Sequence, residues 1–505
     1  MRGSYKVSAL NEDVPSSSHV NHKGMHWLMA TVFIIANLAV KKLIQVNITI
    51  NSMPNAIMNL GTTLGLVLLI LTAIITYITG LQLSYSWHMM QNRWDKYRNV
   101  SRKPYSEIAY RACGSKMRIF VGILICVTSF GFATVLLLLA SKNIMILLYF
   151  FFNWKINECY LILIMGIAIY PFSMLRSPRH FWQIAVFAAG SSSLAAILLL
   201  IGAIHDAPVC SQDVPHRDYN FHEACMAYGT LLFAYGGHSI FPTIQMDMKK
   251  PVHFAKSIIV GFTIVTIYYI SVSLTSVLIY GNSIGDIIIP SIQLSWVQHI
   301  VNVMIAIHVV TTIVIVFSPL AQQVEDLFKI PHKFGWQRIV IRTFLFWMII
   351  FIGLTLPHFG PMMDLIGSST MSLASIILPP LFYLFIRASC EKAKDQDMKP
   401  HLSAIDANEE WATLSDVMHY TPKSMLVINI FIIACGVVGG LVAMIASIIR
   451  LADSTMGVPC YVQYFRGGLE FHSSDLGIVN CCGSYHNITV SGRDPVGYCS
   501  AYRPH

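Results

Sequence analysis

Charged side chains are scarce in this sequence. Only 12% of its 505 residues are Asp, Glu, Lys or Arg, against roughly a quarter in soluble globular proteins. Too few charges remain to cover the surface of a soluble enzyme, and 55% apolar residues exclude a collagenous or disordered chain. The apolar residues form runs of about 20 instead of alternating over ten-residue segments, which excludes an outer-membrane barrel. The composition predicts an all-α polytopic membrane protein.

Eleven apolar runs are long enough to be transmembrane helices. Their predicted bounds are Met25–Val40, Ala56–Leu83, Ile119–Ala140, Cys159–Leu175, Phe181–Ile204, Met226–Ile244, Ser257–Tyr280, Leu294–Leu320, Ile339–Leu356, Leu365–Ile386 and Met425–Ile449. An odd number of spans places the two termini on opposite faces of the membrane. We therefore predict a cytosolic N-terminal tail at residues 1–24, a transmembrane domain at residues 25–450, and a lumenal or extracellular C-terminal tail at residues 451–505.

Basic residues set this orientation. With a cytosolic N-terminus, most of the 34 Lys and Arg residues fall on the cytosolic face, above all in the loop at residues 84–118. That distribution satisfies the positive-inside rule. The net charge of +9 therefore reflects topology and predicts no nucleic-acid partner. The polar first 23 residues predict no cleavable signal peptide, so we expect the first span to direct its own insertion.

Cysteines and glycosylation signals agree with this orientation, because disulfides and Asn-linked glycans form on the lumenal or extracellular side. Cys210 and Cys225 bracket the loop between spans five and six, where we predict a disulfide. The alternative is two free thiols. Sequons at Asn47 and Asn487 fall on the same face and are predicted glycosylation sites. No CxxC or His-rich spacing is present, so we predict no metal site.

The sixth span carries the strongest sequence signal for a binding site. Gly236, Gly237 and Pro242 interrupt its apolar run. Glycine loosens helical geometry and proline removes a backbone hydrogen bond, so the pattern predicts a helix break with open amides and carbonyls. In lipid, such backbone persists where it lines a cavity, as in discontinuous transporter helices. The alternative is a kinked packing helix.

Acidic residues are absent from the interiors of the predicted spans. Asp247 and Asp364 lie just outside, and Arg342 is close enough to a cytosolic end to extend its side chain to the membrane surface. A proton relay of buried carboxylates is therefore not expected. A coupled proton would reside on a histidine, and His238 is nearer the proposed break than His308 or His299.

Residues 233–251, FAYGGHSIFPTIQMDMKKP, resemble the sixth span of the amino acid/auxin permease family, which includes the vesicular GABA transporter and the proton-coupled and sodium-coupled amino acid transporters. Residues 59–65, 171–178 and 317–343 also resemble that family. The resemblance implies a LeuT-like architecture, in which spans one to five and six to ten are inverted repeats and span eleven is an addition. It further implies a substrate site between broken spans one and six.

The resemblance also implies roles for individual residues. Matched by position, the residues that line the substrate are Asn37 in span one and Tyr235, Gly236, Gly237 and His238 in span six. Thr311 or Thr312 matches the place where span eight helps to coordinate sodium in the sodium-coupled branch. The alternative for these threonines is an ordinary core role, with each hydroxyl satisfied on its own helix. The alternative for His238 is a packed, hydrogen-bonded core histidine.

Span one departs from the family pattern. The family has a glycine-rich break after the position of Val40, whereas this chain has Lys41 and Lys42 there and no glycine between Gly24 and Gly61. A lysine at the bilayer centre costs about 2.5–3.5 kcal/mol on insertion scales. Three explanations stay open: a shortened first span, functional recruitment of the lysines, or an error in the translated gene model.

These observations predict a secondary active transporter of small neutral amino acids, coupled to protons or sodium. An enzyme is disfavoured because the spans lack acid–base or metal constellations, and a channel because no re-entrant filter motif is present. The alternative is an amino acid sensor of the same fold that does not transport. We expect a multi-pass protein of a lysosomal, vesicular or plasma membrane, with an amino acid substrate, lipid contacts and no cofactor beyond the coupling ion. The sequence leaves the oligomeric state open.

Replacing residues 41–52 with a short glycine-containing break is expected to restore strong amino acid uptake, because an inverted-repeat mechanism needs half-helix ends from both spans one and six. Uptake of radiolabelled amino acids by the reconstituted parent and variant proteins measures the effect. Robust uptake by the parent chain would instead show that Lys41 or Lys42 is tolerated or used.

Overall fold

The computed structural model of the protein describes residues 52–98, 101, 103–174, 181–211, 219–246, 248, 250–281, 284, 287–330, 335–395, 411–452 and 459–467. The predictions for the first span, for Asn37, and for glycosylation at Asn47 and Asn487 concern residues outside this set.

Helices make up the regular secondary structure of the described residues. They are α1 (residues 52–60), α2 (Thr62–Arg93), α3 (Pro104–Phe152), α4 (Glu158–Ser173), α5 (Phe181–Cys210), α6 (Phe221–Tyr235), α7 (Phe241–Met246), α8 (Phe254–Tyr280), α9 (Ser295–Leu327), α10 (Trp336–Thr355), α11 (Phe359–Ile366), α12 (Leu378–Asp395), α13 (Leu414–Tyr420), α14 (Lys423–Ala452) and α15 (Cys460–Gly467). Within the described part of the chain, eight helical segments are long and apolar enough to cross a membrane. The predicted all-α polytopic membrane fold is confirmed.

The second predicted span, Ala56–Leu83, consists of parts of two helices. Gly61 separates α1 from α2 with a φ of 81°, which glycine adopts without strain. A Cβ atom at Gly65 would meet the Ile57 carbonyl oxygen at 2.8 Å, so α1 folds back closely on the start of α2. The prediction merged the two helices because the apolar run continues through the turn.

Helix α3 extends well beyond the predicted span Ile119–Ala140. Its 49 residues would measure about 70 Å in straight α-helical geometry, more than twice the hydrocarbon thickness of a bilayer. Gly114, with a φ of 83°, kinks the helix near its start. Trp411 covers this kink: its Nε1–H donates to the Tyr110 carbonyl at 3.0 Å, and its ring lies 3.6 Å from the position of a Cβ atom at Gly114.

Short helix α13 follows Trp411 on the predicted cytosolic face. The Thr413 backbone N–H and hydroxyl both donate to the Asp416 carboxylate at 2.8 Å, and the Asp416 backbone N–H donates back to the Thr413 hydroxyl at 3.2 Å. These bonds hold the pKa of Asp416 below its usual range. Lys392 of α12 lies 3.3 Å from the same carboxylate. The segment before span eleven is therefore fastened to the end of span ten.

Acidic side chains are buried near both ends of the helical bundle. Helices α5 and α9 run past the predicted span ends and carry Asp206 and Glu325, which are 4% and 1% exposed. Asp206 accepts hydrogen bonds from the Tyr280 hydroxyl and the Gln293 backbone N–H, both at 2.7 Å. The sequence prediction placed these carboxylates in loops because it ended both helices too early.

Arg342 does not extend to the membrane surface, so that prediction is wrong. Its side chain is 1% exposed, and its Nε–H donates to the Glu325 carboxylate at 2.6 Å. Its Nη1–H donates to the Ser173 carbonyl at 3.1 Å, and Arg338 donates to the same Glu325 oxygen at 3.1 Å. A buried carboxylate compensates the charge of Arg342 and joins α4, α9 and α10 at one end of the bundle.

The disulfide also differs from the prediction. Cys159, at the start of α4, is bonded to Cys460, at the start of α15, with Cα atoms 5.6 Å apart. Cys225 is a free thiol, so the predicted Cys210–Cys225 pair is wrong, although Cys210 is itself disulfide-bonded. Closeness along the chain suggested that pair, whereas helix packing decides which cysteines meet. The observed bond joins two segments that the eleven-span topology places on one face.

Cys460→Ser is expected to lower the melting temperature of the purified protein, because the disulfide restrains an unfolded chain over a sequence separation of 301 residues. The expected loss of stability is about 2 kcal/mol. Thermal unfolding in detergent measures it, and Cys225→Ser is the matched control that should leave the melting temperature unchanged. A Cys460→Ser protein as stable as its parent would contradict the structural role of the bond.

Candidate functional site

The predicted break in span six is confirmed. Helix α6 ends at Tyr235, Gly236 is extended (φ −64°, ψ 173°), and Gly237 has a φ of 115°. A single 3₁₀ turn, His238–Ile240, then leads into α7. The positive φ of Gly237 is strained for any residue with a side chain. The two glycines therefore allow the chain to leave helical geometry inside an apolar span.

The end of α6 leaves carbonyl groups without helical donors. Tyr269 of α8 supplies one replacement, because its hydroxyl donates to the Ala234 carbonyl at 3.3 Å. The Gly236 backbone N–H donates to the Phe233 carbonyl at 3.3 Å, which tightens the last turn of α6. Neighbouring side chains and a tight turn thus stabilise the break on its α6 side.

The two glycines at the break have different surroundings. A Cβ atom at Gly236 would lie 2.6 Å from the Met371 sulfur, so no side chain fits there without displacing Met371. At Gly237 no heavy atom lies within 4 Å of the corresponding position. Gly236 is therefore a packing position against span ten, whereas Gly237 borders open space. Among the predicted binding residues that the structure describes, Gly237 is the glycine that borders open space.

Tyr235 faces α8 and is fully buried. Its ring stacks on Phe262 at a centroid distance of 6.2 Å and meets the Tyr269 ring edge-on at 5.4 Å. Its hydroxyl lies 3.1 Å from the Thr266 hydroxyl. These contacts fix the end of α6 against α8. The predicted role of Tyr235 in lining the substrate stays a prediction.

His238 faces α2 and is also fully buried. Its Nε2–H donates to the Thr76 carbonyl at 2.8 Å, and the Thr79 hydroxyl lies 3.1 Å from the same nitrogen. A carbonyl oxygen accepts only, so Nε2 carries a hydrogen. Gly80 permits this approach, since a Cβ atom there would lie 3.4 Å from Nε2 and 3.0 Å from the Phe241 ring. The contacts are those of a packed histidine that positions the start of α7.

Thr311 and Thr312 both bond to their own helix. Their hydroxyls donate to the His308 carbonyl at 2.8 and 2.9 Å, and Thr311 also reaches the Ile307 carbonyl at 3.0 Å. This geometry is the core alternative that the sequence left open. Each hydroxyl oxygen keeps lone pairs that could face an ion, so the sodium role of either residue stays a prediction.

Span ten contributes residues that the sequence did not single out. Between α11 and α12 the chain forms wide π-helical turns at Gly367–Met371 and Leu373–Ile377, and these turns place Met371 against Gly236. A Cβ atom at Gly367 would overlap the Gly229 carbonyl oxygen, so α6 and span ten approach closely through glycine. Five of the eight residues at 368–375 are Ser or Thr, and this hydroxyl-rich stretch is the sequence feature that accompanies the irregular helix.

Within the described ranges, no group of three or more His, Cys, Asp and Glu side chains is arranged to hold a metal ion. The site consists of open backbone at Gly237, supported by α2 through His238, by α8 through Tyr235 and Tyr269, and by span ten through Met371. The tyrosine and methionine side chains among these carry no charge, and His238 donates a hydrogen bond to the Thr76 carbonyl.

Gly237→Ala is expected to keep the fold and to lose about 1–2 kcal/mol of stability, because the added methyl group meets open space but a positive φ is strained for alanine. Gly237→Leu should in addition block amino acid binding. Gly236→Ala is the matched comparison and should be more destabilising, since its methyl group would overlap Met371. Thermal unfolding with and without amino acids measures these effects, and full ligand stabilisation of Gly237→Leu would contradict the site.

The sequence matches a family model described as "Transmembrane amino acid transporter protein" over residues 24–405. Amino acid transporter AVT1B of Arabidopsis thaliana is 28% identical over 345 residues, which are 65% of this chain and 60% of that protein. AVT1C of the same plant is 27% identical over 65% of this chain and 58% of its own length. The chain thus spans about three fifths of the length of these two relatives.

Among solved structures, MhsT in complex with L-phenylalanine aligns with 83% of this chain and 98% of its own, at 12% identity and a TM-score of 0.48. The Eremococcus coleocola manganese transporter, in complex with an aromatic bis-isothiourea substituted compound, aligns with 88% of this chain and 99% of its own, at 14% identity and a TM-score of 0.47. The family model covers well over half of the sequence, and the chain belongs to the transmembrane amino acid transporter family, whose members are transporters and not enzymes.

Proposed function

We propose that the protein is a secondary active transporter that moves small neutral amino acids across a membrane. The observation that carries the proposal is the break of span six at Gly237, where open backbone borders free space in a member of an amino acid transporter family. In a membrane, irregular backbone persists where protein or a cavity surrounds it. A zwitterionic amino acid supplies the hydrogen-bonding groups that such backbone needs.

The surroundings of the break favour a neutral substrate side chain. The residues that pack around it, among them Met371, Phe262 and Tyr269, are uncharged. A charged substrate side chain would need a partner of opposite sign at this depth, because an unpaired buried charge is strongly disfavoured. Apolar and aromatic walls with backbone hydrogen bonds suit a small side chain and an oriented carboxylate.

A gradient of protons or sodium drives the proposed transport. Histidine is the residue type that takes up a proton near neutral pH, and Thr311 or Thr312 offers oxygen lone pairs for sodium. We place the protein in a lysosomal, vesicular or plasma membrane, with a cytosolic N-terminus. The Cys159–Cys460 disulfide supports this orientation, since such bonds form on the lumenal or extracellular side.

Reconstituted vesicles test the proposal directly. A pH gradient and a sodium gradient are imposed in separate experiments on vesicles that contain the protein. We expect one of the two gradients to drive accumulation of radiolabelled glycine, L-alanine, L-serine or L-proline. Unlabelled L-alanine should compete with uptake, whereas L-lysine and L-glutamate should not. Binding without flux would favour the sensor, and flux that ignores both gradients would refute coupled transport.

A further inference from the structure

His308 is a buried histidine whose ring nitrogens have no hydrogen-bond partner among the described residues. It lies on α9, its side chain is 1% exposed, and neither ring nitrogen has a hydrogen-bond partner in the structure. Buried polar groups in proteins are nearly always hydrogen-bonded, so an exception needs a cause. Asn302, fully buried on the same helix, likewise has no partner for its amide oxygen or nitrogen.

The depth of His308 follows from the pairing of α9 with α3. The Cys126 thiol donates to the Gln323 side-chain oxygen at 3.2 Å, and the Phe150 ring packs on His299 at 4.5 Å. These two contacts fix an antiparallel register that places His308 opposite Ser141. His308 is about 20 Å along a helix about 50 Å long. It therefore lies well inside the membrane, on the helix that carries Thr311 and Thr312.

The charged side chains on the helices that pack on α9 do not account for the burial of His308. The helices that pack on α9 carry Lys142 on α3, Glu158 on α4, Asp206 on α5 and Arg342 on α10. Lys142 is partly exposed and next in sequence to Ser141. The other three lie near the ends of their helices, and Asp206 and Arg342 already have the hydrogen bonds described above. On α9 itself, Glu325 is bound by two arginines.

His238, which the sequence favoured as the proton carrier, is bound differently. Its Nε2–H is held by the Thr76 carbonyl, and its ring packs on Phe241 at 4.9 Å. Through this hydrogen bond the His238 ring stabilises the geometry of the break. By contrast, neither nitrogen of the His308 ring is hydrogen-bonded to a described residue.

We propose that His308 is the residue that carries the coupled proton; this inference rests on the proposed function. In the structure the ring is occluded, and an imidazole without partners is neutral there. When the transporter opens toward the side of higher proton activity, a ring nitrogen accepts a proton and forms an N–H bond. When it opens to the other side, the same N–H bond breaks and the proton leaves to water. Thr311 and Thr312, bonded to the His308 carbonyl, link this position to the next turn of span eight.

His308→Gln should uncouple transport from the pH gradient. Accumulation driven by a pH gradient is measured in empty vesicles, and counterflow in vesicles preloaded with glycine, L-alanine, L-serine or L-proline. The ratio of the first rate to the second is expected to fall at least tenfold, and uptake should lose its dependence on pH. His299→Gln is the matched control on the same helix and should keep the pH profile of the parent. His238→Gln should slow uptake without flattening the profile.

His308→Leu separates coupling from structure. A histidine needed for folding would make this variant less stable, whereas removal of an unpaired buried polar group should leave the melting temperature unchanged or raised. We expect that result together with lost coupling. A His308→Gln protein that keeps the parent's pH profile would overturn the assignment of the coupled proton to His308 and leave the proposed transport function intact. A parent that accumulates amino acids with a sodium gradient but ignores pH would overturn proton coupling and leave amino acid transport standing.

Discussion

Backbone that leaves helical geometry inside a membrane must find partners within the protein, and the centre of this structure depends on that constraint. Tyr269 on α8 satisfies the Ala234 carbonyl at the end of α6. On the opposite side, His238 fastens the start of the second half of the span to the Thr76 carbonyl of α2. Both sides of the break are thus supported, and the backbone at Gly237 borders open space. A rigid support with one accessible face is what a binding site for a small ligand requires.

Paired charges join helices at one end of the bundle. Glu325 joins α9 to Arg338 and Arg342 of α10, and Arg342 reaches the last turn of α4 through Ser173. Lys103 binds Asp326 at 2.9 Å, which ties the start of α3 to the same place. Paired charges near the membrane surface are tolerated, whereas a charge in the hydrocarbon core is costly. The four helices therefore form a braced support beside the broken span.

The features that were predicted correctly from the sequence are those that neighbouring residues determine. Apolar length located most of the spans, and the glycine pair located the break, because a φ of 115° at Gly237 is a local requirement. The sequence did not predict relations across the fold. Nothing in the spacing of cysteines distinguishes Cys225 from Cys460 as a disulfide partner, and nothing near Gly236 indicates that Met371 fills the space beside it. The buried Glu325 was missed because hydropathy ends a helix where charge begins, although a partner arginine allows the helix to continue.

Because His238 lies next to the break in the sequence, it was the natural candidate for a proton carrier. A residue at that position also helps to hold the break in place. The hydrogen bond from the His238 Nε2–H to the Thr76 carbonyl exists in both the neutral and the protonated ring, so it positions His238 whatever the charge of the ring. A buried ring such as that of His308, whose nitrogens have no hydrogen-bond partner among the described residues, destabilises the folded chain. Unexplained polarity in a core is thus a better guide to function than nearness to a motif. In this protein that reasoning leads from span six to span eight, where His308 has the burial of a core residue and the chemistry of a functional one.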